Sequence, residues 1–492
     1  ACCIISLCKF YKTPRKSTIK AARLLPYYGI QTVALALGVF LCIIGIRGGI
    51  GHNVRPITIS NASAYVSKPI DAALVLNTPF ALIRTIGKKP FQVTRYFSDQ
   101  NSLEQVFTPV HRPEIDSIDS TSFRPLNVVV FIMESFGQEY TDEGYTPFLD
   151  SLTNHALSFT QSFANGRKSI DAMPSILSSI PYMVEPFILT PASLNKLSGL
   201  ADNLNHKGYY TAFFHGADNG SMGFDAFARA TGFQRYYGRT EYNADPSFGG
   251  NADFDGQWAV WDEEFFQFFK KTLDTLPQPF ATAMFSASSH HPFRIPEKYQ
   301  GRFPEGTLPI HVPIAYSDYA LRRFFEAAKQ EAWYANTLFV ITADHTNVQE
   351  KPENLNSVGL FRIPVVFYRP DNSLAARREG IAQQIDILPT VLGYLRYDRP
   401  YLAFGCDLLN TPSKDTFAFN YVNDIYQYIQ NQYVIQFNGQ EVTGLYDYIG
   451  DPLLKVNLKG TLPQVENEME SRLKAFIQQY MERMTEDRLT VE

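Results

Sequence analysis

The sequence predicts an α/β protein with a mostly parallel central sheet, a small C-terminal antiparallel sheet plus helix, and an N-terminal transmembrane helix. Three observations lead there. From residue 126 onward, near-continuous apolar runs rich in β-branched residues alternate with stretches of helical periodicity, the pattern of strands buried on both faces of a parallel sheet. Residues 24–46 carry no charge, and residues 432–446 read as two strands around an Asn-Gly turn. Composition sets the outer bounds. Charged residues make up 19% of the 492, below the roughly 25% usual for soluble domains. The net charge of −5 excludes a basic nucleic-acid binder, and 30 Gly and 30 Pro without a repeat period exclude collagen-like and low-complexity chains.

At the N-terminus, residues 1–8 (ACCIISLC) read as the end of an apolar run that began upstream. Lys9, Lys12, Arg15, Lys16, Lys20 and Arg23 follow, and the first acidic residue is Asp71. Residues 24–47 are then expected to span a membrane, since about 20 residues at 1.5 Å each cross a hydrocarbon core of roughly 30 Å. The basic loop up to residue 23 stays cytoplasmic by the positive-inside rule, which places everything after Arg47 outside. A buried core helix is the alternative, given Pro26, Gln31 and Thr32 at its start. Residues 48–125 read as a juxtamembrane helix followed by an extended linker. Residues 126–410 are expected to form the main globular domain, and 411–492 a C-terminal subdomain that completes it.

Within that domain the strands are NVVVFIM (127–133), LSFTQSF (157–163), YYTAFFH (209–215), FATAMFSA (280–287), LFVIT (338–342) and IPVVFY (363–368). Residues 258–273 and 316–333 supply outer helices. Residues 463–488 read as a terminal helix, with Met469, Leu473, Phe476, Ile477 and Tyr480 at helical spacing. Cys2, Cys3, Cys8 and Cys42 leave Cys406 alone in the globular part, so neither a disulfide framework nor a thiolate zinc site is available there.

In open parallel sheets ligands bind beyond the carboxyl ends of the strands. The residues there form an unusual set: Glu134, His215, His290 and the Asp344-His345 pair, after four separate strands. Singly, each has a structural explanation, a helix cap for the carboxylates or a hydrogen-bonded core position for a histidine. Together, two carboxylates and an imidazole in one crevice call for a cation, and oxygen plus nitrogen ligands suit Mn²⁺, Zn²⁺ or Mg²⁺. Ser169, after a strand and before a helix beginning near Asp171, offers a nucleophile at a helix N-terminus; its alternative role is an N-cap. Gly166-Arg167-Lys168-Ser169 is not a phosphate-binding P-loop, because Arg167 separates the glycine from the lysine and no glycine stands five residues earlier.

The ordered motifs NVVVFIMES (127–135), TPFLDSL (146–152), FxNGRKSxD (163–171), FHG (214–216), SHHPF (289–293), TADH (342–345), QIDILPTVL (384–392) and GLYDYIGDP (444–452) resemble the lipoteichoic acid synthase and phosphoglycerol transferase group of the sulfatase-like alkaline phosphatase superfamily. The resemblance covers about 125–455 and implies a sulfatase-like α/β/α sandwich on the outer face of a bacterial envelope, in a chain that is multi-pass at full length. It implies that Glu134, Ser169, Asp344 and His345 hold one divalent metal, usually Mn²⁺, with Ser169 as nucleophile. His215 and His290 match the histidines that contact the substrate phosphate. Sulfatases that use formylglycine have Pro two residues after the modified residue and then Arg, whereas Ile170 and Asp171 follow Ser169 here, with Asp171 at the Pro position. One departure concerns the head-group pocket, where Met222 and Phe224 stand at the positions of a Trp and an Arg; Arg229, Arg235 or Arg239 could supply the missing cation, with surface charge as the alternative.

The implied activity moves a phosphoglycerol-type head group from a phospholipid to a glycan, glycolipid or polymer, with the membrane and no nucleic acid among its partners. Two other functions compete. One is a metal-dependent phosphodiesterase, phosphatase or sulfatase-like hydrolase with water as acceptor. The other is a non-catalytic envelope sensor or scaffold.

Overall fold

The computed structural model describes residues 24–47, 72–76, 78–85, 91–113, 123–141 and 143–491. The expected upstream helix end (1–8), the basic loop 9–23 and most of the polar run after His111 lie outside them. The chain divides into two units, residues 1–57 and 58–492.

In the first unit, Leu24–Arg47 forms one 24-residue helix, α1. At 1.5 Å per residue it is about 36 Å long, enough to cross a hydrocarbon core. None of its residues 26–45 is buried.

The second unit is built on an eight-stranded sheet. Its strands are β1 (Asn127–Met133), β2 (Leu157–Phe163), β3 (Tyr210–His215), β4 (Arg235–Tyr237), β5 (Phe280–Phe285), β6 (Thr337–Ala343), β7 (Val365–Tyr368) and β8 (Ala376–Gln383). They lie in the order β4-β3-β5-β1-β6-β7-β2-β8. All run parallel except β7, which pairs antiparallel with both β6 and β2. The helices that matter here are α2 (Pro147–Thr153), α3 (Ser169–Ser178), α4 (Asp262–Leu273), α5 (His311–Ala328), α6 (Ile387–Tyr394) and α7 (Pro463–Thr485).

Strand β1 shows why the layers form. All seven of its residues are buried, and alternate side chains enter different cores. Val128, Val130 and Ile132 pack with Ile176 of α3, Leu388 of α6 and Leu473 of α7. Val129 and Phe131 pack with Phe265 and Phe269 of α4 and Phe324 of α5. An α/β/α sandwich follows directly from this period-two alternation of apolar residues on both faces.

A second sheet, β9 (Phe417–Val422), β10 (Ile425–Gln430), β11 (Tyr433–Phe437) and β12 (Val442–Asp447), is antiparallel throughout. The β11–β12 connection is a four-residue loop, not the two-residue Asn-Gly turn expected, because Phe437 pairs with Val442 and the Asn438 side chain accepts from the amides of Gln440 and Glu441. Helix α7 docks on this sheet through Phe476, stacked 4.6 Å from Phe419. Within the expected linker, residues 91–111 are part of the fold. The amides of Tyr96 and Phe97 bond Gln478 of α7, Phe107 lies 5.0 Å from Phe476, and Val110–His111 pair with Tyr401–Leu402.

Candidate active site

Parallel pairing brings the carboxyl ends of β1, β3, β5 and β6 to one edge of the sheet, and the singled-out residues gather there. Glu134 follows β1, His215 ends β3 and Asp344 follows β6. Ligand atoms of Glu134, Asp344 and His345 all lie within 4.8 Å of one another. Ser169 Oγ lies 3.1 Å from Glu134 Oε2 and 3.3 Å from His345 Nε2. Ser169 is the first residue of α3, and Lys168 occupies the cap position, so the serine hydroxyl is not the helix cap. Neither carboxylate caps a helix. Asp344 Oδ1 accepts from the amides of Ser135 and His345, and Glu134 Oε1 accepts from Ser135 Oγ.

Electrostatics give this cluster its character. Burial, and then the Glu134 carboxylate beside it, push Asp344 well above the ordinary carboxylate range. Burial acts on Glu134 in the same direction, but His345 and His290 outweigh it and hold Glu134 below its usual value. His345 Nδ1 bonds the Thr346 carbonyl, which can only accept, so Nδ1 carries a proton and Nε2, once unprotonated, presents a lone pair. That lone pair faces Asp344 Oδ2 at 3.2 Å, and Oδ2 is a buried oxygen with no hydrogen-bond partner. An orphaned carboxylate oxygen, a second carboxylate, an imidazole lone pair and a serine hydroxyl form a donor set that fits a divalent cation.

Other side chains hold this cluster in place. Ser135 adopts a left-handed backbone (φ 61°), a strained conformation for a non-glycine residue that the surrounding hydrogen bonds maintain. Ser286 Oγ accepts from the Glu134 amide, and Ser289 donates to the Glu134 carbonyl. Asp262, buried at the start of α4, accepts from the amides of Ala287 and Ser288 and from Ser317 Oγ, which anchors the loop carrying His290. Sequence reasoning missed all of these. The Ser-rich run directly after β5 and the Glu-Ser pair after β1 were the available signals.

The two further histidines differ. Burial lowers His215 to about 4, against a hydrogen bond from Nδ1 to the Phe285 carbonyl and the nearby Glu134. It is therefore neutral near pH 7, with a buried Nε2 that has no partner. His290 is only half-buried, with Nδ1 on the His291 carbonyl at 2.8 Å. Phe224 and Met222 are both apolar and packed. Phe224 is fully buried, its ring 5.3 Å from that of His215. Met222 takes a left-handed backbone (φ 54°) and packs on the core. Arg229 pairs with Asp225, Arg239 pairs with Asp218 and covers the Phe254 ring, and Arg235 is exposed on β4.

Comparison with known proteins bears on the family and the fold. The Sulfatase family model matches residues 126–397. The chain is 22% identical over 394 residues to a lipoteichoic acid synthase-like protein, YvgJ, of Bacillus subtilis, covering 73% of this chain and 63% of the relative. It is 27% identical over 237 residues to phosphoglycerol transferase I of Citrobacter koseri, covering 45% of this chain and 31% of the relative. The chain thus spans about a third to two thirds of the curated relatives it matches. A crystal structure of an alkaline phosphatase superfamily protein from Vibrio parahaemolyticus superimposes with a TM-score of 0.69 at 23% identity, covering 82% of this chain and all of that one. The chain belongs to the Sulfatase family, with the alkaline phosphatase fold and relatives among the lipoteichoic acid synthases and phosphoglycerol transferases.

Proposed function

We propose that this protein is a membrane-anchored, metal-dependent phosphotransferase that moves a phosphoglycerol-type head group from a phospholipid to an extracytoplasmic glycan, glycolipid or polymer through a phospho-Ser169 intermediate. The observation that carries this is the approach of Ser169 Oγ to both Glu134 and His345 beside the orphaned Asp344 oxygen. Glu134, Ser169, Asp344 and His345 would hold the cation, Mn²⁺ in the first instance, with Mg²⁺ and Zn²⁺ as alternatives. When bound, it supplies Lewis acidity that favours the serine alkoxide and offsets charge on the phosphoryl oxygens.

The residues divide the remaining work. Ser169 Oγ, which donates a hydrogen bond to Glu134, enters as the alkoxide after its proton leaves to solvent; it attacks the phosphorus, the bond to the diacylglycerol oxygen breaks, and the second half-reaction regenerates the alkoxide. His290, as the imidazolium, gives that oxygen the proton on Nε2, its Nδ1–H being held by the His291 carbonyl. His215 is unsuited to this step, since it is neutral near pH 7 and its one N–H is held by the Phe285 carbonyl. In the second half-reaction an acceptor hydroxyl returns a proton to His290 and takes the phosphoalcohol from Ser169. The apolar surroundings of Met222 and Phe224 make the transferred alcohol the least determined element. Helix α1 confines the enzyme to the surface that carries its donor, raising effective concentration as a tether does.

Labelled phosphatidylglycerol presented to the full chain in membranes tests this. Ser169→Ala is expected to abolish diacylglycerol release while folding and Mn²⁺ binding persist; continued turnover removes Ser169 from the mechanism. Label in a glycan or polymer supports transfer, and free phosphoglycerol supports hydrolysis.

A further inference from the structure

Trp258 lies far from the metal-ligand cluster in sequence, yet its ring packs on that of His290 with centroids 4.2 Å apart. Its indole N–H donates to the His291 carbonyl at 2.8 Å, the same oxygen that bonds His290 Nδ1 at 2.8 Å. One carbonyl therefore ties both rings together, and their tilted contact adds a third point of attachment. The turn that presents Trp258 is itself braced. Asp255 Oδ1 accepts from the amides of Gln257, Trp258 and Ala259 at 2.7, 2.6 and 3.2 Å. Ala259 forms an antiparallel bridge with Ala217, and the Val260 amide bonds the Gly216 carbonyl, so the turn is fastened to the chain directly after His215.

We propose that Trp258, held by the Asp255 turn, is a positioning residue for His290: it fixes the imidazole with Nδ1 on the His291 carbonyl, leaving Nε2 to face the substrate. The half-buried setting makes such a brace necessary. His290 lies on a loop five residues beyond β5, where an unsupported ring samples several rotamers. Aromatic packing and a shared hydrogen-bond acceptor hold it in one. This rests on the assignment of His290 as the proton donor in the proposed transfer.

A double-mutant cycle on diacylglycerol release from labelled phosphatidylglycerol, with the full chain in detergent and saturating Mn²⁺, tests it. His290→Ala is expected to lower kcat about 100-fold, in the range typical of lost general acid catalysis. Trp258→Ala is expected to lower kcat about 10- to 100-fold with KM changed less than threefold, and Trp258→Phe to recover most of that loss. The double variant should match His290→Ala within threefold. Because deleting an indole can unfold a protein, the cycle is repeated with Trp258→Phe, which keeps the ring and removes the N–H; its smaller loss, about three- to tenfold, should vanish in the His290→Ala background. Multiplicative losses overturn the proposal, as does a fully active His290→Ala, since Trp258 cannot act through a residue that contributes nothing. Retained turnover in Ser169→Ala, by contrast, strikes the transfer mechanism while leaving the Trp258–His290 coupling readable.

Discussion

Replacing Asp344 with Asn should make the metal-free protein more stable and the metal-treated protein relatively less so. Asp344 Oδ1 accepts two backbone amides, and an Asn side chain placed the same way keeps both bonds. Its amide nitrogen then takes the position of Oδ2 and points a donor at the His345 Nε2 lone pair, 3.2 Å away. The change also removes a buried charge whose ligand oxygen lies within 4.8 Å of that of Glu134. At that distance and an effective dielectric of roughly 20, two like charges repel by about 3.5 kcal/mol. Burial, and then Glu134, favour the neutral form of Asp344, so only part of that repulsion is relieved, about 1–3 kcal/mol. For a unit of this size the melting temperature should rise by roughly 1–3 °C. Wild type should gain about 2.7 kcal/mol from Mn²⁺ at a hundredfold excess over its Kd, and Asp344→Asn should lose most of that gain. Thermal melting with EDTA and with Mn²⁺ measures both. A destabilised metal-free variant, or one that Mn²⁺ stabilises as strongly as wild type, refutes the shared-cation explanation of this cluster.

Three further outcomes follow from the packing. Gly166→Ala would place a Cβ 2.3 Å from Asp171 Cβ, so it should destabilise the turn before Ser169 by about 1–3 kcal/mol and cut head-group release more than it lowers the melting temperature. His215 is neutral when folded, at about 4, whereas the unfolded chain protonates it near 6.5; the unfolded state thus binds more protons between these values, and stability falls with acid by about 3 kcal/mol. His215→Asn should flatten that part of the pH–stability curve measured by urea unfolding. Phe476→Ala should cost about 3–5 kcal/mol by denaturant titration, because α7 is packed into the catalytic fold between Phe107 and Phe419.

Much of the sheet was legible because parallel strands buried on both faces are apolar throughout, as β1, β5 and β6 are. Strand β8 escaped notice since it begins Ala-Arg-Arg-Glu and only its second half is buried. The antiparallel direction of β7 follows from pairing partners, which IPVVFY does not encode. Strands β9 and β10 mix aromatic and polar residues and turn through Asn423-Asp424, a connection that their periodicity obscured. The docking of residues 91–111 was hidden for another reason: single aromatic anchors such as Tyr96 and Phe107 find their partners hundreds of positions away. At the candidate site, the polar side chains stood out because strand ends concentrate them. Their supports did not, since Ser135, Ser286, Ser289, Asp262 and Trp258 act through backbone groups and ring faces that only tertiary structure brings together.

The most direct measurement is anomalous diffraction at the manganese edge from crystals grown with Mn²⁺. A single strong peak is expected at coordination distance, about 2.0–2.3 Å, from side-chain atoms of Glu134, Ser169, Asp344 and His345 together. A peak elsewhere, or one from which the Ser169 hydroxyl is turned away, contradicts the account.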